Sequence, residues 1–254
     1  MSNEFLYNCT DGIATFTINR PEARNAISLS LAQEISAAMD RFESDSSARV
    51  GILTGTSQFF SAGMDLKGFS RGELPIVEGK GFAGFIEHPP SKPLIAAVEG
   101  FALAGGFEMV LACDLIVASE NAIFGLPEVT RGIVASAGGL LKLPHRIPHH
   151  IAMELILTGL HWPASEAFRY GLINRLTPVG LALEAAHSLA SVIASNAPLA
   201  LAASKKVVTQ SVDWLSTEEY EKQFLVIDPV RNSSDAQEGS RAFIEKRPPR
   251  WMGK

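Results

Sequence analysis

The chain has 254 residues, 46% hydrophobic and 19% charged, proportions that suit a soluble folded core and exclude extended disorder or a fibrous repeat. A formal net charge of −5 removes any general attraction to nucleic acid or an anionic membrane. Two cysteines, Cys9 and Cys113, are too few for a disulfide framework and fit a reducing compartment, and MSNEFLYNCTDG at the start lacks the basic end and apolar run of a targeting peptide.

In chain order, IATFTIN (13–19) alternates apolar and Thr side chains as a half-buried strand does, and RPEARN breaks it. Ser30 and Gln33 form a capping box, after which Leu31, Ile35, Ala38, Met39 and Phe42 follow at helical spacing. VGILTG (50–55) and PLIAAVEG (93–100) read as short buried strands, 105–113 as a helix and LIVAS (115–119) as a further strand. This alternation predicts an α/β protein with a largely parallel sheet and helical crossovers. The apolar stretch 94–118 carries Glu99, Glu108 and Asp114, each costing roughly 2.5–3.5 kcal/mol near the centre of a spanning helix, so it is expected inside a protein core and not a membrane. Beyond Pro144 helices dominate: 150–160, 164–171, 181–195, 198–210, 216–227 and 235–246. SNAP (195–198) interrupts them and places a soft boundary near residue 195, giving units 1–195 and 196–254.

Three stretches have residues suited to chemistry. In FFSAGMDLKG (59–68) the small Ser61, Ala62 and Gly63 let backbone approach a ligand and leave the Met64 N–H free to point at it; the ordinary reading is a plain loop. In ALAGGFE (102–108), Gly105 and Gly106 open a helix whose N–H groups can hold an oxyanion, with Glu108 one turn on. Its ordinary reading is close helix–sheet packing with a first-turn acid favoured by the helix dipole. Glu128 follows Pro127 on a turn, where a carboxylate is usually just solvated.

Together with INRPEARNAI (18–27), LPEVTRGI (126–133) and DAQEGSRAFIEKRPPRW (235–251), these stretches resemble, in order and separation, the crotonase or enoyl-CoA hydratase/isomerase superfamily. The resemblance implies a spiral of repeated β-β-α units over 1–195, carrying the coenzyme A and active sites, and a C-terminal helical trimerisation region over 196–254. It implies that Met64 and Gly105 N–H groups form an oxyanion hole for a thioester carbonyl. By the same resemblance Glu108 takes a proton from water as it attacks C3 of an enoyl-CoA, and Glu128 protonates C2. Ala23, Arg24 and Ala26 would border the pantetheine and phosphate path, and Ala62, Asp65 and Leu66 the adenine pocket. Lys246 and Arg247 are candidates for a phosphate contact, or else form a cationic helix end before Pro248 and Pro249.

No metal or redox cofactor is called for, coenzyme A being part of the substrate. Family membership also implies a cytoplasmic homotrimer or homohexamer with a place in fatty acid metabolism. Two departures narrow the branch. Ala135 stands where many members have proline, and Ser136 where dienoyl-CoA isomerases and aryl-CoA dehalogenases carry an aspartate. Retention of Glu108 favours hydration over simple enoyl-CoA isomerisation, and the GGFE and EGSRAFIEKRPPRW motifs lie near those of carnitinyl-CoA dehydratases. The alternative from another class is an acyl-CoA-binding subunit without turnover, for which two acids beside a thioester have no use. Phe69, Phe82, Phe85, Ile133 and Trp162 are the expected acyl-pocket residues.

Competing motifs fare worse on the residues. GFSRG (68–72) matches a serine-nucleophile elbow but has no buried strand before Ser70 and no long helix after it. GKGFAG (79–84) matches a dinucleotide fingerprint, yet prolines follow too soon for a helix. His145, His149 and His150 are split by Pro148 and lack the spacing of a metal pair.

Overall fold

The computed structural model describes residues 4–56 and 58–254. Strands β1 (Phe5–Thr10) and β2 (Ile13–Ile18) pair antiparallel through Asp11 and Gly12, both at positive φ (53° and 78°). An Asp-Gly pair suits this two-residue turn because both central residues must be left-handed. Helix α1 (Leu29–Ser44) is capped by Ser28, whose hydroxyl accepts from the Leu31 N–H at 3.2 Å. The box expected at Ser30 and Gln33 is therefore two residues late, and Ser30 instead bonds the Ser28 hydroxyl. Leu31, Ile35, Met39 and Phe42 are buried along one face of α1, each stabilising the fold by about 1.5–3 kcal/mol.

Strand pairs then repeat. β3 (Val50–Gly55) and β4 (Phe59–Ser61) lead into the short α2 (Leu66–Phe69). After a small hairpin, β5 (Ile76–Val77) and β6 (Gly81–Phe82), the pair β7 (Leu94–Val98) and β8 (Phe101–Leu103) leads into α3 (Gly105–Ala112). β9 (Leu115–Ser119) and β10 (Ile123–Gly125) lead to a 3-10 turn, Pro127–Arg131, and to α4 (Gly139–Lys142). Next come α5 (His149–Thr158), β11 (Trp162–Pro163), α6 (Ala164–Arg169), β12 (Arg175–Thr177) and α7 (Ala182–Ala194).

The first strand of each pair enters a six-stranded sheet, order β1-β2-β3-β7-β9-β12, and the second a four-stranded sheet, order β11-β10-β8-β4. In the larger sheet every pairing along the row β2-β3-β7-β9-β12 is parallel; in the smaller one β4–β8 and β8–β10 are parallel and β10–β11 antiparallel. This is the repeated β-β-α order that the resemblance implies. The stretch 94–118 is divided among β7, β8, α3 and β9, and among the described residues no single helix is long and apolar enough to cross a membrane.

The two faces of the larger sheet follow the alternation of side chains along each strand. Val50, Ile52, Ile95, Ala97 and Val117 pack under Ala186 and Ala190 of α7, while Leu53, Leu94, Ala96, Val98, Ile116 and Ala118 join Phe16 and Phe42 in the main core. After α7 the chain turns by 107° into α8 (Pro198–Gln210), followed by α9 (Glu219–Arg231) and α10 (Ser234–Ile244). Lys205 anchors α8 to the core through Asp114 (2.7 Å) and the Lys92 carbonyl (2.9 Å). The Asp235 carboxylate accepts from the Met252 and Gly253 N–H groups (2.7 and 2.9 Å), latching the last residues onto α10.

Candidate active site

Every residue of α3 is buried, so the helix runs through the core and its amino end opens where β8 stops. Two glycines are needed there for contact reasons. A Cβ on Gly106 would lie 2.2 Å from the Ser61 carbonyl oxygen, and one on Gly105 2.5 Å from the Phe82 ring. Ala104, before the helix, holds φ 50° and ψ −128°, an uncommon conformation for a residue with a side chain. It is secured on both sides: its N–H donates to the Gly125 carbonyl (2.9 Å) and its carbonyl accepts from the Glu108 N–H (3.0 Å).

The loop after β4 comes alongside. Gly63 has φ +89°, and a Cβ on it would stand 2.9 Å from the Gly105 nitrogen. The Ser61 hydroxyl sets this loop, accepting from the Gly63 N–H (3.1 Å) and donating to the Asn25 carbonyl (2.8 Å). The Gly63 carbonyl accepts from Ile27 and the Asp65 N–H donates to the Ile27 carbonyl, so Met64 lies between two anchored peptides. Among the described residues, the N–H groups of Met64 and Gly105 have no protein acceptor, and the two peptides are neighbours.

Glu108 is 3% exposed, and its Oε1 accepts from the N–H groups of Ala137 (2.8 Å) and Gly139 (2.9 Å). Burial pushes its carboxyl above the ordinary range, and the Gly139 and Ala137 N–H groups with the Lys142 ammonium draw it part of the way back. Glu128, 7% exposed on its 3-10 turn, is placed differently: its Oε2 is buried without a hydrogen-bond partner. Burial pushes Glu128 up to about 7; a bond from its own N–H acts against this and the field of Glu108 adds to it. The site thus joins one acid held by two backbone donors and a second, in the field of the first, that keeps one buried oxygen without a partner.

A family model described as enoyl-CoA hydratase/isomerase matches residues 8–254. The chain belongs to the enoyl-CoA hydratase/isomerase family. Relatives include the carnitinyl-CoA dehydratase of Proteus mirabilis (strain HI4320), 41% identical with 100% of both chains covered, and that of Salmonella typhi, 42% identical over 99% of this chain and 100% of the relative. Among solved structures, enoyl-CoA hydratase EchA1 from Mycobacterium marinum superposes with a TM-score of 0.98 at 51% identity, covering both chains fully. A carnitinyl-CoA hydratase from Mycobacterium avium gives 0.81 at 40% identity, again with full coverage of both. This chain is accordingly a crotonase-fold enzyme of the hydro-lyase type.

Within that family frame the residues expected along the coenzyme A path fall into two groups. Ala23, Arg24 and Ala26 lie beside Ala62–Leu66, joined by the bond from the Ala62 N–H to the Arg24 carbonyl (3.1 Å) and by the Ile27 bridge. Asp65 turns its carboxylate onto the start of α2, accepting from Lys67 and Gly68, and onto Arg20 (3.3 Å), so its side chain is committed to the fold. Leu66 is exposed. Lys246 and Arg247 follow α10, and among the described residues no hydrogen bond or ion pair joins them to this loop. Arg247 forks onto Glu238 (2.6 and 3.0 Å) and bonds Glu245, holding Glu238 down at about 2.

Of the expected acyl-pocket residues, Phe82 covers the first turn of α3 and Phe85 is sealed in the core, whereas Phe69 and Ile133 are exposed. Trp162 stacks on Tyr170 with centroids 5.3 Å apart. Ser70 ends α2 with its hydroxyl on the Lys67 carbonyl, and 79–84 forms the β5–β6 hairpin and the turn after it. Sequence reasoning read Ser61 only as a small residue, without its hydroxyl bonds, and missed Asn25 and the Ala137 and Gly139 N–H groups. The Asn25 amide, fully buried at φ 54°, donates to the Thr56 and Phe59 carbonyls and had a signal in INRPEARNAI, whereas backbone donors leave none.

Proposed function

We propose that the chain adds water across the 2,3 double bond of an enoyl-CoA, or runs the reverse dehydration, with Glu108 and Glu128 as its acid–base pair. The observation that carries this reading is the unequal setting of the two buried carboxylates. Glu108, with two N–H groups on one oxygen, is suited to the anion; Glu128, its Oε2 buried without a partner and its carboxyl pushed up to about 7, is suited to holding a proton at neutral pH.

In the forward direction Glu108 takes a proton from water as its oxygen bonds to C3. The displaced π electrons move to the thioester oxygen, where the Met64 and Gly105 N–H groups stabilise the enolate. Glu128 then gives its proton to C2, leaving Glu108 protonated and Glu128 anionic, and proton exchange with water resets the pair. One oxyanion donor is worth about a hundredfold to a thousandfold in rate. No step requires a metal or redox cofactor.

The test is loss of the conjugated enoyl-thioester ultraviolet band on adding the enzyme, with Glu108→Gln and Glu128→Gln as controls. Tight binding without turnover at any chain length would sink the assignment in favour of an acyl-CoA-binding subunit. A carnitinyl-CoA dehydratase reading is supported by the two dehydratases at 41% and 42% identity. A panel of short, long, aromatic and betaine-type enoyl-CoA substrates separates it from a fatty-acyl hydratase and from an isomerase.

The free thiols of Cys9 and Cys113 fit a cytoplasmic enzyme. Residues 196–254 are read as the assembly region of a trimer or pair of trimers. What supports this is the exposure of Val208, Val212, Leu215, Tyr220 and Leu225 and the lack of any fully buried residue in α8 or α9. A cation from a neighbouring subunit is the route by which Lys246 would reach a coenzyme A phosphate; Arg247 would first have to leave Glu238.

A further inference from the structure

The turn that holds Glu108 is itself held. Ala137 and Gly139 supply the two N–H groups on Oε1, and Gly138 between them, at φ +95°, brings both donors to the same side. Across this glycine lies the side chain of Lys142, the last residue of α4. A Cβ on Gly138 would meet Lys142 Cε at 3.6 Å, Lys142 Cδ at 4.0 Å and Ile86 Cγ2 at 3.8 Å. The Lys142 ammonium reaches past it to the Ile86 carbonyl at 3.3 Å. Gly139 fits closely against the acid, since a Cβ there would stand 3.0 Å from Glu108 Cγ and 3.1 Å from Oε1.

We propose that Lys142 is a positioning residue for the hydration step: it clamps the Ala137–Gly139 turn against the segment before β7 and so fixes the carboxylate of Glu108. The inference rests on the reading of Glu108 as the base. A lysine half-buried beside α3 costs desolvation that an apolar side chain of the same length would avoid. Beside the turn that holds Glu108 the charge has a use, because a nearby cation favours the carboxylate anion, the direction in which Lys142 acts on Glu108.

The charged and titratable groups that bear on the arrangement come from several elements. Glu108 feels Lys142 from α4 and Glu128 from the 3-10 turn. Lys142 is lowered by burial, then by Arg146, raised by Cys113 and Asp114 beyond α3, and lowered by Lys205 of α8. Arg146 is itself fixed, its guanidinium donating to the Cys113 carbonyl at 2.7 Å.

Three full-length variants test the proposal: Lys142→Met keeps an apolar stem, Lys142→Gln gives a shorter, polar but uncharged side chain, and Lys142→Arg keeps the charge and the donor to the Ile86 carbonyl. Both neutral variants are expected to lose about tenfold to a hundredfold in kcat with KM changed about threefold at most, and Lys142→Arg to recover most of the loss. In a carbon-13 titration, with the Glu108 carboxyl assigned by its absence in Glu108→Gln, the midpoint is expected to rise by about half a pH unit or more in the neutral variants. An unchanged midpoint in a folded neutral variant overturns the proposal, as does an equal loss of kcat in Lys142→Arg. Should Lys142→Met fail to fold, Lys142→Gln carries both readouts. Wild-type enzyme without hydratase turnover would instead count against the function, and the titration would still decide what Lys142 does to Glu108.

Discussion

Two glutamates of the same chemistry are set apart by what surrounds their oxygens. Replacing Glu128 with Gln keeps the shape of the turn and removes the proton, so hydration is expected to fall by about a hundredfold to ten-thousandfold while acyl-CoA binding, followed by calorimetry, survives. A raised acid also sets the pH response. Because the proposed mechanism has Glu128 give its proton to C2, kcat/KM for hydration should decline as pH rises through about 7. Stability moves the same way: the folded chain holds this proton more tightly than the unfolded chain. Its contribution is complete below the ordinary carboxyl value of 4.5 and is lost as pH rises through about 7. Thermal midpoints of wild type, measured against Glu128→Gln over that window, should converge or cross downward with rising pH. Both acids were legible as side chains beside glycines. Their difference was not, because the donors that distinguish Glu108 are the N–H groups of Ala137 and Gly139, which any residue but proline supplies.

Between elements, the site depends on how closely α3 can approach the loop after β4. Gly106→Ala would drive a methyl into the Ser61 carbonyl, so a loss of about 1–3 kcal/mol or more in urea unfolding is expected. Ser61→Ala removes the partner of the Gly63 N–H and the donor to the Asn25 carbonyl, a further route to a loss of about 1–3 kcal/mol, measured in the same way. The long helices and the strands at 13–19, 50–55 and 115–119 were readable from apolar periodicity, and α7 and α8 fall close to their expected limits. Short strands were not: β8 and β10 have three residues each and β11 has two, too few to show alternation. β1 is longer, but it is a half-exposed edge whose best signal was the Asp11-Gly12 turn. The capping serine was misplaced for a related reason, since Ser28 caps without the partner acid that marks a box.

For the molecule as a whole, the apolar faces left on α8 and α9 predict association, and light scattering is expected to give three or six times the monomer mass. A monomer at micromolar concentration with full activity would remove any need for a partner at the site. The break between α7 and α8 was legible as SNAP, but the 107° turn at that place was not, because chain direction after a break depends on packing and not on local composition. The placement of the candidate groups along the chain has a consequence during synthesis. Ser61, Met64, Gly105, Glu108, Glu128 and Gly139 all precede the last hundred or so residues. At roughly 5–20 residues per second, the part of the chain with these candidate groups is made several seconds before the C-terminal helices are complete. A nascent chain stalled in that interval would carry every acid and donor of the proposed site, yet still lack the exposed apolar residues of α8 and α9.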